Sequence, residues 1–208
     1  MALVKYNDNS ISAISSAGQL ATGSLVPIKT LTASGSASLS FVDGSDGVVL
    51  DSTYPIYKFD FINVHPQNDA VDFQFNLSTD SGSNYNVTKT STFFRAYNNE
   101  SGTVSAINYE TSSDLAQGTG FQGFNKSELG NDNDQSCVGT LHLFNPSSTT
   151  FVKHFIANIH TYHSGDYSAN SYISGYGNTT NSVDAVRFQM SSGNIDSGTI
   201  KLYGIKDS

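Results

Sequence analysis

VDFQFNL, residues 71–77, alternates without a break. Val71, Phe73, Phe75 and Leu77 fall on one side, and Asp72, Gln74 and Asn76 on the other. Side chains of a strand point to opposite faces with a period of two, so the segment predicts a half-buried strand with one apolar and one wet face. Tyr57, Phe59 and Phe61 alternate with Lys58 and Asp60 in the same way. Working outward, strands are predicted over 25–32, 37–42, 85–97, 104–110, 137–144, 150–163, 183–190 and 197–205. Turn-forming clusters punctuate them at DGSDG (43–47), TDSGSN (79–84), GNDNDQ (130–135) and SSGNIDSG (191–198). No segment carries an amphipathic helical period over 12 or more residues. One helical turn near Ser113–Gln117 is allowed, with Ser112 or Ser113 as its cap.

This pattern predicts an all-β chain: an antiparallel two-sheet β-sandwich, jelly-roll-like, with an extended N-terminal arm. Alternating strands exclude a doubly wound parallel sheet, whose strands read as continuous apolar runs. The chain has 13 Phe and 11 Tyr and no Trp. About ten aromatics, each removing roughly 150–250 Å² from water, suffice for the core of one domain.

Residues 1–27 have a different texture and are read as a docking arm, with 28–208 as the sandwich body. The arm is rich in Ser, Ala, Gly and Asn but keeps scattered apolar anchors: Leu3, Val4, Tyr6, Ile11, Ile14 and Leu20. With neither a period of 2 nor of 3.6, it is expected to order by laying these anchors on a partner protein.

The formal net charge of −8 argues against a nucleic-acid footprint, which needs clustered Lys and Arg. It argues equally against an anionic membrane surface. No window approaches 18 consecutive apolar residues, so no transmembrane helix is expected. The N-terminus lacks a basic start followed by an apolar run, so the protein is expected to be made and first folded inside a cell. Cys137 is the only cysteine, which excludes an intrachain disulfide. Sequons at Asn76, Asn86, Asn99, Asn125 and Asn178 read as by-products of heavy Asn, Ser and Thr usage.

Motifs that carry chemistry are scarce. There is no G-x-S-x-G elbow and no H-E-x-x-H. GTGFQG (118–123) matches a dinucleotide fingerprint in letters only, because no helical period follows it. It reads as a flexible loop, with Phe121 and Phe124 either pinned down or exposed. His154 and His160 share strand parity but would lie about 20 Å apart at strand rise, too far for one metal ion. Calcium candidates are Asp132 and Asp134, near Glu128, and a second set around DGSDG. Neither loop has the EF-hand spacing, and Asp and Asn favour turns on their own account. No cofactor is expected. Tyr167, Tyr172 and Tyr176 in YSANSYISGYGN (167–178) are candidate glycan contacts, in a Tyr/Ser/Asn/Gly mixture suited to adaptable binding loops. The same stretch also reads as an ordinary long hairpin tip.

Several segments together resemble small virion structural proteins of marine tailed bacteriophages. They are MALVKYNDNSISAI (1–14), SASLSFVDG (36–44), STYPIYKFDFINVHP (52–66), NLSTDSGSNYNVTKTSTFFRAY (76–97), SSDLAQGTGFQ (112–122), LHLFNPSSTTFVKHF (141–155) and SGTIKLYGIKDS (197–208). The resemblance covers nearly the whole chain and implies a non-enzymatic subunit: a capsid decoration, head fibre or tail-fibre part. It implies partners among other capsid or tail proteins, a homo-oligomer with a trimer favoured, and a place on the virion surface after assembly in host cytoplasm. Cys137 would then stay reduced. It offers no catalytic residues. The alternative is a carbohydrate-binding host-attachment module at a tail-fibre tip, gripping a host surface glycan.

Overall fold

The structure is a computed structural model that describes residues 24–126 and 128–206. Twelve strands form in chain order: β1 (Leu25–Ser36), β2 (Leu39–Val42), β3 (Ile56–Pro66), β4 (Phe73–Ser78), β5 (Lys89–Asn99), β6 (Ser105–Tyr109), β7 (Gln122–Gly123), β8 (Cys137–Phe144), β9 (Lys153–His163), β10 (Tyr167–Gly177), β11 (Ala185–Met190) and β12 (Ile195–Ile205). They make two antiparallel sheets packed as a sandwich. The larger runs β1-β12-β3-β8-β9-β10-β5-β6 and the smaller β2-β11-β4-β7.

The pairing is nested. β1 pairs with β12, β2 with β11, β3 with β8 and β4 with β7. That is one long hairpin folded over itself, the wiring of a jelly roll. Two hairpins are added to this frame. β9–β10 and the β5–β6 pair all join the large sheet beyond β8, which makes it twice as wide as the small one.

The core lies between the sheets. Phe41, Phe59, Phe73, Phe75, Phe124, Phe155 and Phe188 are fully buried. The Phe188 ring meets the rings of Phe41, Phe59, Phe61, Phe73 and Phe124 at centroid distances of 5.2–6.4 Å. Offset and edge-on ring pairs add about 0.5–1.5 kcal/mol each beyond the area they bury. The alternation of residues 71–77 is realised in β4, where Phe73, Phe75 and Leu77 all point inward.

Several expectations need correction. The polar side of β4 is not uniformly wet, because Asn76 is fully buried. Its Nδ2 donates to Tyr85 O at 2.6 Å and Thr119 O at 3.0 Å, which pins two loops over the strand. Residues 167–177 are not a hairpin tip but strand β10, in register between β9 and β5. GTGFQG is not a free loop either: Gln122 and Gly123 form β7 against β4, and Phe124 is buried in the ring cluster. The turn expected near Ser113 closes on Glu110 O, which accepts from Ser113 N at 3.1 Å and Asp114 N at 3.3 Å, and no helix follows. β1 begins at Leu25, so residues 25–27 belong to the sandwich.

Candidate functional site

Among the described residues, no second layer covers the outer side of the large sheet. Outward positions there are the even-numbered residues of β5, β8, β9 and β10 and the odd-numbered residues of β6. None of them is Asp, Glu, Lys or Arg. Charge returns at the margins, in Glu100 and Asp114 bonded to Tyr162 and Tyr109, and beyond β8, where Lys58 and Asp60 on β3 form an ion pair at 2.8 Å. Six of the large apolar side chains most exposed to solvent stand on this face: Phe94, Ile107, Tyr109, Val138, Ile156 and Tyr172. Ile107 is 77% exposed and Ile156 53%. Isolated exposed apolar residues are ordinary, but a contiguous apolar patch marks an interaction site.

The face has relief. Tyr109, Phe94 and Tyr172 lie side by side in register across β6, β5 and β10. The Phe94 and Tyr172 rings stack at 5.1 Å with planes 10° apart. These three rings form a ridge. Beside it lies an open hollow of about 620 Å³, lined by Thr90, Thr92, Phe144, His154, Ile156 and Tyr176. The small side chains of Thr92 and Ser174, paired across the strands, leave room between ridge and rim. A smaller cleft of about 320 Å³ opens at the end of the face, lined by Asn98, Glu100, His160, Tyr162, Tyr167 and Ser168.

The sequence candidates occupy separate places. Tyr172 belongs to the ridge and Tyr176 to the hollow, where its ring lies 6.3 Å from that of His154. Tyr167 sits at the far end of β10, its ring 5.0 Å from His163 and 6.0 Å from Tyr97. The three tyrosines do not converge on one subsite. His154 and His160 both point outward on β9, and the His160 Nε2 lies 2.9 Å from Ser168 Oγ. Asp132 and Asp134 are both exposed. Asp132 belongs to a turn in which Gln135 N donates to its carbonyl at 2.8 Å. Around DGSDG, Asp43 Oδ1 accepts from Leu50 N at 2.8 Å, and Asp51 Oδ1 accepts from Thr53 N at 2.7 Å. These carboxylates act as turn acceptors. Among the described residues, no group of three or more His, Cys, Asp or Glu is placed to hold a metal ion. The arm anchors Leu3, Val4, Tyr6, Ile11, Ile14 and Leu20 lie outside the described residues.

Glu128 parts company with the acids around it. It is buried against Arg95, which also binds Glu110 at 2.8 Å, while Lys126 closes on the other Glu110 oxygen. Burial pushes the Glu128 carboxyl above its usual range, against the pull of Arg95. Burial also acts to raise Glu110, but hydrogen bonds from Lys126 and Arg95 outweigh it and hold the group below its usual range. The cluster fastens the 110–130 segment over the inner side of the added hairpins. Both acids meet Arg95, so the cluster works as a clasp, while Glu128 Oε1 is buried without a hydrogen-bond partner among the described residues. Cys137 is fully buried, its thiol pushed up to about 12 by burial, and it presents no reactive thiolate. Asn76 and Asn125 are also buried, which closes two of the five sequons to glycans in the folded protein.

Sequence reasoning missed the apolar outer face. The signal was available: a wet strand face should alternate to charged or strongly polar residues, yet Phe94, Ile156 and Tyr172 fall on the outward parity. No family model, curated protein or solved structure matches this chain.

Proposed function

We propose that this chain is a non-enzymatic structural subunit of a phage virion, held by its N-terminal arm to a capsid or tail protein. The reading rests on one observation above the others: a broad face without Asp, Glu, Lys or Arg, bearing exposed aromatic and aliphatic side chains, on a molecule that otherwise carries a net charge of −8. Interface centres are depleted in charge and enriched in aromatic residues, and this face has both properties. Two further features support it. The jelly-roll wiring is shared by viral capsid and lectin domains, and the segments quoted above resemble phage virion proteins. Asp43, Asp51 and Asp80 are taken up in turns and Glu110 with cations, which suits a scaffold.

In this role the arm lies extended, with Leu3, Val4, Tyr6, Ile11 and Ile14 entering pockets or adding a strand to a sheet edge of the partner. Ordering the arm costs about 1–2 kcal/mol of backbone entropy per residue, so a single arm holds weakly. Several copies joined through their bodies gain avidity. Deleting residues 1–20 is expected to leave a soluble, folded sandwich that no longer joins particles. Quantitative mass spectrometry of purified virions checks this; normal incorporation of the truncated chain would defeat the arm reading.

A further inference from the structure

We infer that the outer face of the large sheet binds a second copy of this same chain, the aromatic ridge of one copy seating in the hollow of the next. The inference rests on the structural-subunit reading and names its partner.

Charge is the first argument. Two copies with net charge −8 repel one another over most approaches. No Asp or Glu faces outward from β8, β9, β10, β5 or β6, so like charges meet only at the margins, where Asp114 accepts from Tyr109 and Glu100 from Tyr162.

Shape is the second. Knob and hole occur on one surface: Tyr109, Phe94 and Tyr172 form the ridge, and the hollow bounded by Ile156 and Tyr176 lies directly beside it. A surface that carries both halves of a fit is self-complementary, which is what contact between identical copies requires.

Size is the third. At strand spacing and rise, these five strands cover about 700 Å² in projection. That is close to the roughly 800 Å² that each partner gives to a stable interface. Burying Ile156, which now stands 53% exposed, and the rings of Phe94 and Tyr172 supplies the apolar centre.

The test is sedimentation equilibrium of the full chain at micromolar concentration, with two variants in the hollow. Ile156→Lys places a charge where the partner ridge would sit, and Ser174→Arg fills the space. Both positions are exposed, and circular dichroism with thermal unfolding confirms that each variant folds. The wild type is expected to sediment as an oligomer, and each variant to raise its dissociation constant at least about tenfold. Thr30→Lys, outward on the distant strand β1, is expected to change nothing. A monomeric wild type, or association that survives both hollow variants, overturns the inference. So does a monomer that is instead retained on immobilised host polysaccharide, which would assign the face to sugar. A monomer that still incorporates into virions would remove this contact and leave the subunit reading standing. An oligomer absent from virions would do the reverse.

Discussion

Two buried lysines show how single residues were hidden from the sequence. Lys89 and Lys153 are fully buried at the starts of β5 and β9, and both stand in register with Gly177 of β10. A Cβ at this glycine would press on Val87 and Leu77 at 3.1 and 3.2 Å and meet Lys153 Cβ at 3.7 Å. Lys153 is well served, its Nζ donating to Ser148 O at 2.6 Å, Phe151 O at 2.8 Å and Thr179 O at 3.3 Å. Lys89 has the Asn76 side-chain oxygen and Val87 O, the latter at 2.9 Å. Burial lowers its pKa from 10.5 to about 7. Above pH 7 the folded protein then holds a neutral amine, while the unfolded chain stays protonated up to about pH 10.5. The unfolded state binds the extra proton in that window, so stability rises with pH from 7 to 10.5 and the burden is fully present below 7. The gain is at most about 1.4 kcal/mol per pH unit. Urea unfolding of Lys89→Met is expected to give a flatter profile over the same window. Parallel profiles would show that the amine stays charged in the fold. Nothing in the local sequence marks either lysine as internal: Val87 O, Phe151 O and Ser148 O lie close by in the chain but become acceptors only in the folded turns, and Asn76 and Thr179 O come from farther away.

At the scale of elements, most strands of the frame and of the added hairpins were legible, and β10 and β7 were not. β4, β8, β11 and β12 follow from alternation and flanking turn residues, as do the two sheets themselves. β10 escaped because its inward positions are Ala169, Ser171, Ile173 and Gly175, small side chains under a crowded sheet that leave little hydrophobic signal. β7 is two residues long, below any periodicity. Register breaks were likewise invisible. The β3–β8 pair slips between Phe61 and Val64, where Asn63 adopts φ 48°, and the β12–β3 pair slips between Ser197 and Thr199. Gly198 faces this irregularity with φ +122°, and a Cβ there would lie 2.7 Å from Asn63 O and from Val64 Cα. Both are backbone atoms that cannot rotate away. Gly198→Ala is expected to destabilise the sandwich by about 1–3 kcal/mol, read as a lower urea midpoint with unchanged slope. An unchanged midpoint would mean that the bulge relaxes freely. The apolar outer face belongs to this scale too: its residues come from five strands, and only their pairing shows that Phe94, Tyr109 and Tyr172 form one ridge.

For the whole molecule, the separation of charge from one face makes a statement about salt. Screening lengths fall from about 30 Å at 0.01 M to about 10 Å at 0.1 M ionic strength. Added salt therefore quiets the repulsion between two acidic bodies without touching an uncharged contact. Self-association is expected to tighten as sodium chloride rises from about 0.05 to 0.5 M, the opposite of an interface held by ion pairs. Weakening over that range would show that charged side chains carry the contact. The composition supplied the net charge, but its uneven distribution over the surface needed the folded positions of the strands.

The nested pairing has a mechanical side. β1 and β12, the first and last strands, are partners along ten register positions, and Lys206 N donates to Ser24 O at 2.9 Å. The chain thus enters and leaves the sandwich at a single corner, on the edge opposite β6. Tension applied to the arm along the strand direction is shared by the entire β1–β12 ladder in shear, so many bonds resist together instead of parting one after another. A pull on the N-terminal end of β1 thus reaches the body without first peeling off that strand.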